Sequence, residues 1–154
     1  MPKSSQRKTQ KKVLLVDSDV IIRLVLAQHL RACAHVVLEA ADAAEAKAIL
    51  QAGQSCDVLL CDPQLSGEDS GFGIAQWVRR HRTQTKVVLA ATLQVKTLAV
   101  VELCGSTPGA APRDAAALGE KIRLMLAERA RRSRRPASTA DALKLRPRNK
   151  RFPS

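Results

Sequence analysis

No Cys-x-x-Cys pair occurs in the 154 residues, and the three histidines, His29, His35 and His81, stand without ligand spacing. The four cysteines, Cys33, Cys56, Cys61 and Cys104, therefore read as buried free thiols in a reducing compartment, with no zinc site. His29 in particular reads as a partly buried or surface side chain rather than a ligand. No apolar run approaches the length needed to span a membrane, and the basic N-terminus is not followed by the apolar core of a signal peptide. A cytoplasmic protein with no membrane partner is the expectation. A Ser-His-Asp set and a glycine-rich phosphate loop are also missing, which argues against a conventional enzyme.

Acidic residues are scarce at both ends. The formal charge is +12, but residues 1–12 hold five Lys/Arg and no acid, and residues 129–154 hold ten Lys/Arg and one acid, Asp141. The intervening 13–128 carries 11 basic and 13 acidic residues and is close to neutral. The chain thus divides into a basic, disordered N-terminal tail (1–12), one domain (13–128) and a basic, mostly disordered C-terminal tail (129–154). Because the basicity lies in the tails, it does not by itself imply a nucleic-acid-binding fold.

What the domain does have is two apolar runs that each stop at an acid. Val13-Leu14-Leu15-Val16 ends in Asp17-Ser18-Asp19, and Val58-Leu59-Leu60-Cys61 ends in Asp62, followed by Pro63, Gly67 and polar residues. Both read as buried parallel strands that deliver a carboxylate to the C-terminal edge of a sheet, the edge where open α/β sheets place their chemistry. If the strands are neighbours, Asp17 and Asp62 meet there, and a hard cation such as Mg²⁺ would relieve their repulsion. The plainer alternative makes both aspartates helix caps and loop residues.

Strands are also expected at Val36–Glu39 and Val87–Ala91. Helices are expected after Ser18 or Asp19 as N-cap, over 40–50 with Gly53 beyond its end, from Phe72 to near Arg82, and over 115–130. The stretch 95–103 fits a helix or a strand, and helix is preferred. The breaker-rich 105–112 leaves space for only a very short or frayed fifth strand. Alternation of strands and helices predicts a flavodoxin-like, three-layer α/β/α fold on a five-stranded parallel sheet of order 2-1-3-4-5, irregular around its fourth helix and fifth strand.

With these residues in place, roughly residues 12–129 resemble the receiver domain of bacterial two-component response regulators. The resemblance rests on Val13–Asp19 with Arg23, on Glu39–Ala46, on Asp57–Asp62 followed by Leu65 and Gly71, and on Pro112–Leu126. It implies a single-domain response regulator in a phosphorelay, a cytoplasmic phosphoprotein with Asp62 as phosphoacceptor. The donor would be a histidine kinase or phosphotransfer protein. Mg²⁺ would be held by Asp17, Ser18, Asp62 and the Gln64 backbone carbonyl, and Thr92, or Ala91 in the neighbouring register, would stand at the switch-hydroxyl position. Activity would be limited to self-catalysed phosphoryl transfer and hydrolysis, and a homodimer is compatible with the family.

Three departures from the family pattern stand out. Ser18 replaces the usual second acid and weakens the metal pocket, because a hydroxyl is a neutral ligand. The lysine expected before the last proline is Ala111, with Arg113 or Lys96 as substitutes. Lastly, no output domain such as a helix-turn-helix follows within these residues. The alternatives are a phosphorylation-independent receiver-like protein-binding module, or a tail-driven nucleic-acid-associated protein. The clusters Arg131–Arg135 and Lys144–Arg151 are of the kind that binds acidic surfaces or nucleic acid by charge. Phe152 is the one aromatic beside them, so base stacking has little support.

Overall fold

The structure, a computed structural model, describes residues 10–67, 69–105 and 111–135, with side chains from residue 114 onward in the last segment. The expectations for residues 1–9 and for the tail beyond residue 135 lie outside these residues. Four strands alternate with helices: β1 (Lys12–Val16), α1 (Val20–Ala32), β2 (Val36–Ala40), α2 (Ala43–Gln51), β3 (Val58–Cys61), α3 (Gly71–His81), β4 (Lys86–Leu89) and α4 (Leu93–Leu103). A last helix, α5 (Ala111–Arg134), follows directly on α4 in this order. All strand pairs are parallel, in the order β2-β1-β3-β4.

The unbroken apolar character of β1 and β3 has a simple cause, since both faces of the sheet are covered. Val13, Leu15, Val58 and Leu60 point to one face, where Val25, Leu26 and Leu30 of α1, Val100 and Val101 of α4, and Leu118 and Ile122 of α5 close over them. Leu14, Val16, Leu59 and Cys61 point to the other, against Ala43, Ala46 and Leu50 of α2 and Ile74 and Val78 of α3. A period of two along each strand thus feeds two separate cores.

Local signals set the helix ends. Asp19, one of the two expected caps, starts α1 by accepting from the Ile21 and Ile22 N–H groups. Asp42, Ser70 and Thr92 cap α2, α3 and α4 in the same manner. Gly53 takes φ +96° just beyond α2, as expected of a residue past a helix end.

The stretch 95–103 is helical throughout, within α4. Of the expected five-stranded sheet, four strands in the order β2-β1-β3-β4 lie among the described residues. Physically, α4 packs beside α1 and α5 over one face of the sheet, and its C-terminal residues are covered by α1 and α5. Residues 106–110, where the fifth strand was expected, lie outside the described set. The last helix runs from Ala111 to Arg134, so it continues past the expected 115–130 into the basic residues 131–134.

Two cysteines depart from expectation. Cys33, the C-cap of α1, and Cys104, the C-cap of α4, form a disulfide across 71 residues, with Cα atoms 5.6 Å apart. Cys56 and Cys61 are free and buried, as expected. Spacing along the chain carries no sign of a pairing made by packing two helix ends together.

The loop after β3 folds tightly back on the strand end. The Gly71 N–H donates to the Pro63 carbonyl (3.1 Å). A Cβ at Gly71 would strike the Asp62 carbonyl oxygen and lie 2.6 Å from Pro63 Cα. Backbone cannot swing aside as a flexible side chain can, so Gly71→Ala is expected to lower the unfolding free energy by about 1–3 kcal/mol, read by urea denaturation. Unchanged stability would show that this loop does not hold the strand end.

Candidate functional site

Asp17 and Asp62 follow neighbouring parallel strands, and backbone pairing sets them side by side. The Asp62 N–H donates to the Val16 carbonyl (3.1 Å), and the Asp17 N–H to the Ala40 carbonyl (3.1 Å). The two carboxylates therefore emerge at one rim, as the sequence suggests.

A lysine joins them. Lys96 Nζ lies 2.7 Å from Asp17 Oδ2 and 2.7 Å from Asp62 Oδ2. The side chain is only 7 % exposed, with Asp17 at 4 % and Asp62 at 13 %. Burial opposes the Lys96 charge, but hydrogen bonds and Coulomb attraction from Asp17 and Asp62 outweigh it and raise its pKa above the ordinary lysine value. Thr92 fixes where this ammonium sits. Its hydroxyl accepts the Val95 N–H (3.2 Å), starting α4 so that Lys96 falls in the first turn and reaches inward.

The second oxygen of each carboxylate is also engaged. Asp17 Oδ1 accepts the Asp19 N–H (2.9 Å), and Asp62 Oδ1 accepts the Gln64 N–H (2.7 Å). Arg23 Nη1 donates to the Asp17 carbonyl (2.7 Å), and its Nε faces Glu39 at 3.6 Å. The site is thus an acidic pair clamped by one ammonium and held in register by backbone N–H groups.

The other expected residues have separate tasks. Ser18 Oγ accepts the Ser66 N–H (2.9 Å) and so anchors the loop after β3. Gln64 meets Asp62 through its N–H. Thr92 is exposed and is the α4 cap, and Ala91, the neighbouring register, is exposed as well; Ala90, two residues before Thr92, is buried and its N–H donates to the Cys61 carbonyl (2.9 Å). Asp19 turns outward, capping α1 and pairing with Arg129 at 2.7 Å. Desolvation works against the Asp19 charge, but the Arg129 hydrogen bond and the two backbone N–H groups prevail and lower its pKa. Burial, assisted by the negative charges of Asp62 and Asp17, pushes the Cys61 thiol up to about 12, so it stays protonated and unreactive beside the site.

Sequence reasoning named Lys96 only as one of two substitutes. Its signal was a lone cation inside the apolar run Val95–Leu103, four residues beyond a capping threonine. Arg113, the other substitute, has its side chain outside the described residues. Mg²⁺ fits the donor chemistry of the rim, which offers two carboxylate groups and backbone oxygens to a hard cation. Ser18 adds only a neutral hydroxyl to that set, with one lone pair of its oxygen already accepting the Ser66 N–H.

The sequence profile of the response regulator receiver domain matches residues 13–104, more than half of the chain. Among solved structures, the response regulator TrrA of Thermotoga maritima, determined in complex with Mg²⁺ and BeF, is similar at 26% identity. The match covers 52% of this chain and 68% of that one, with a TM-score of 0.48. The chemotaxis response regulator CheY4 of Vibrio cholerae is 24% identical over 74% of this chain and 99% of that one, with a TM-score of 0.49. The signal receiver domain of an HD domain-containing protein from Pseudomonas fluorescens is 21% identical over 73% and 78%, with a TM-score of 0.50, a likeness of fold alone. No curated protein matches the chain.

Lys96→Met would leave two adjacent carboxylates without their cation. It is expected to lower the unfolding free energy at pH 7 by about 3 kcal/mol, with part of the loss recovered in millimolar Mg²⁺. In the parent, the raised Lys96 pKa means that the ion pairs contribute fully below the ordinary lysine pKa of 10.5 and fade as pH rises through the higher folded value. Urea titrations between pH 8 and pH 12 should show a loss of stability at the alkaline end that Lys96→Met does not share. Parallel curves for the two proteins would contradict the assignment.

Proposed function

The chain belongs to the response regulator receiver family, and from that premise we propose that it accepts a phosphoryl group on Asp62 from the phosphohistidine of a histidine kinase or phosphotransfer protein. The observation that carries this reading is the convergence of Asp62, Asp17 and the Lys96 ammonium at the rim of the sheet, with Lys96 Nζ 2.7 Å from both carboxylates. Receiver domains are signalling domains, and the reading limits chemistry on this chain to self-catalysed phosphoryl transfer and hydrolysis. In this reading its place is the cytoplasm, beside the kinase.

In this reading an Asp62 carboxylate oxygen is the nucleophile. It forms the new O–P bond as the donor's N–P bond breaks, and the departing imidazole takes up a proton from solvent. Lys96 offsets the approach of two anions, the carboxylate and the phosphoryl group, in a region with little water to screen them. The Gln64 N–H fixes the carboxylate plane through Oδ1, and Arg23 holds the strand end below Asp17. Asp17, Asp62 and the Gln64 carbonyl are the oxygens that would hold Mg²⁺, and the ion would neutralise charge on the phosphoryl oxygens.

The signal would pass through α4. Once Asp62 carries the acyl phosphate, its charge moves outward onto the phosphoryl oxygens, and Lys96 is drawn after it. The first turn of α4 then moves with Lys96. Thr92 serves this change as the cap of α4, its hydroxyl accepting the Val95 N–H.

A second reading is supported by the same contacts. Both Asp62 oxygens are occupied and Ser18 is tied to Ser66, so the pocket is already satisfied without phosphate. A receiver-like module that binds partners without phosphate control would have this closed arrangement.

Intact-protein mass after incubation with a small acyl-phosphate donor and Mg²⁺ separates the two. The first reading expects the gain of one phosphoryl group in the parent and none in Asp62→Asn. No gain in a folded parent, with a kinase-borne phosphohistidine failing as well, would establish the second.

A further inference from the structure

Outside the acidic rim, the described residues hold one group of metal-ligating side chains that converges. His29, Cys33 and Cys104 place their ligand atoms within 4.8 Å of one another. His29 and Cys33 are four residues apart, one turn along the end of α1, so they lie on the same face. Cys104 enters from the C-cap of α4, with its Sγ 4.0 Å from the His29 carbonyl.

The chain's other thiols and imidazoles are committed elsewhere. Cys56 and Cys61 are buried on the opposite face of the sheet. His35 accepts the Lys11 N–H at Nδ1 and meets the Leu103 carbonyl at Nε2 (2.9 Å), so Nε2 carries the proton. His81 stacks on Trp77. Among the described residues, the His29 ring makes no comparable hydrogen bond or stack outside this cluster.

We propose that the reduced protein binds one Zn²⁺ ion on His29, Cys33 and Cys104, and that oxidation of the two thiols to the disulfide releases it. Two sulfurs and one imidazole are the donor set that zinc favours, and a water molecule completes the tetrahedron. Zinc–sulfur bonds of about 2.3 Å hold two sulfurs about 3.8 Å apart. Side-chain rotation at Cys33 and Cys104 supplies that separation without moving either helix, given Cα atoms 5.6 Å apart.

The redox step balances in electrons and protons. The two thiolates lose two electrons as the S–S bond forms. A peroxide takes those electrons with two protons from solvent to give water, and zinc leaves unchanged as the divalent ion. Metal and disulfide therefore exclude each other, and each ties the end of α1 to the end of α4.

Co²⁺ serves as the spectroscopic probe, added to full-length protein reduced by a phosphine and freed of metal. One equivalent should give the visible bands of a tetrahedral ion and a near-ultraviolet thiolate charge-transfer band, with Zn²⁺ displacing it. Cys56→Ser should behave as the parent. Cys33→Ser and Cys104→Ser should weaken the charge-transfer band, and His29→Ala should weaken binding by at least about tenfold. Stoichiometric hydrogen peroxide should abolish the bands and release the metal. The proposal is overturned if the reduced, folded parent shows no tetrahedral spectrum. It is also overturned if the spectrum survives in Cys104→Ser with equal intensity, or if peroxide leaves the metal bound.

Discussion

Two carboxylates at the ends of adjacent parallel strands repel each other, and the rest of this molecule is arranged around the cation that holds them. Parallel pairing forces Asp17 and Asp62 to one rim. Neither β1 nor β3 can supply a counter-charge at that rim, because Val13–Val16 and Val58–Cys61 are apolar and buried and Lys12 lies at the far end of β1. The charge comes from Lys96, and its delivery requires a helix that begins at the rim and runs down the α1 face. Thr92 starts that helix, and Val100 and Val101 seat it in the core. Removal of the lysine therefore disturbs the acids and removes a reason for α4 to sit where it does.

The other end of α4 is fixed as firmly. The Leu103 carbonyl receives His35, whose ring also accepts from Lys11, just before β1. Cys104 is joined to Cys33 at the end of α1. Lys96 and Cys104 are eight residues apart, about 12 Å of helix, so one short element spans from the acidic rim to the sulfur cluster. A change of charge at Asp62 and a change of redox state at Cys104 act on opposite ends of the same helix. That geometry gives each event a route to the other without any contact between the two sites.

Much of this was legible in the sequence because it is local. The apolar runs Val13–Val16 and Val58–Cys61 and the acids that close them predict the strands, their burial and the meeting of Asp17 with Asp62. Asp19 predicts the start of α1, and Gly53 the end of α2. What was not legible depends on packing between distant elements. Lys96 could not be placed, because its neighbours along the chain do not reveal that its helix points inward at the rim. The Cys33–Cys104 pair and the approach of His29 depend on two helices ending side by side, and neither end carries a spacing signal of its own. The side-by-side packing of α4 and α5 over one face of the sheet likewise depends on distant elements.

The central claim is that Lys96 and Asp62 act on each other directly. A double-mutant cycle of Lys96→Met, Asp62→Asn and the combined variant, followed by urea denaturation at pH 7, tests it most directly. The account predicts a coupling energy of about 1.5–3 kcal/mol, with Asp62→Asn relieving part of the damage done by Lys96→Met. Additive losses, within about 0.3–0.5 kcal/mol, would contradict it and remove the cation from the centre of the site.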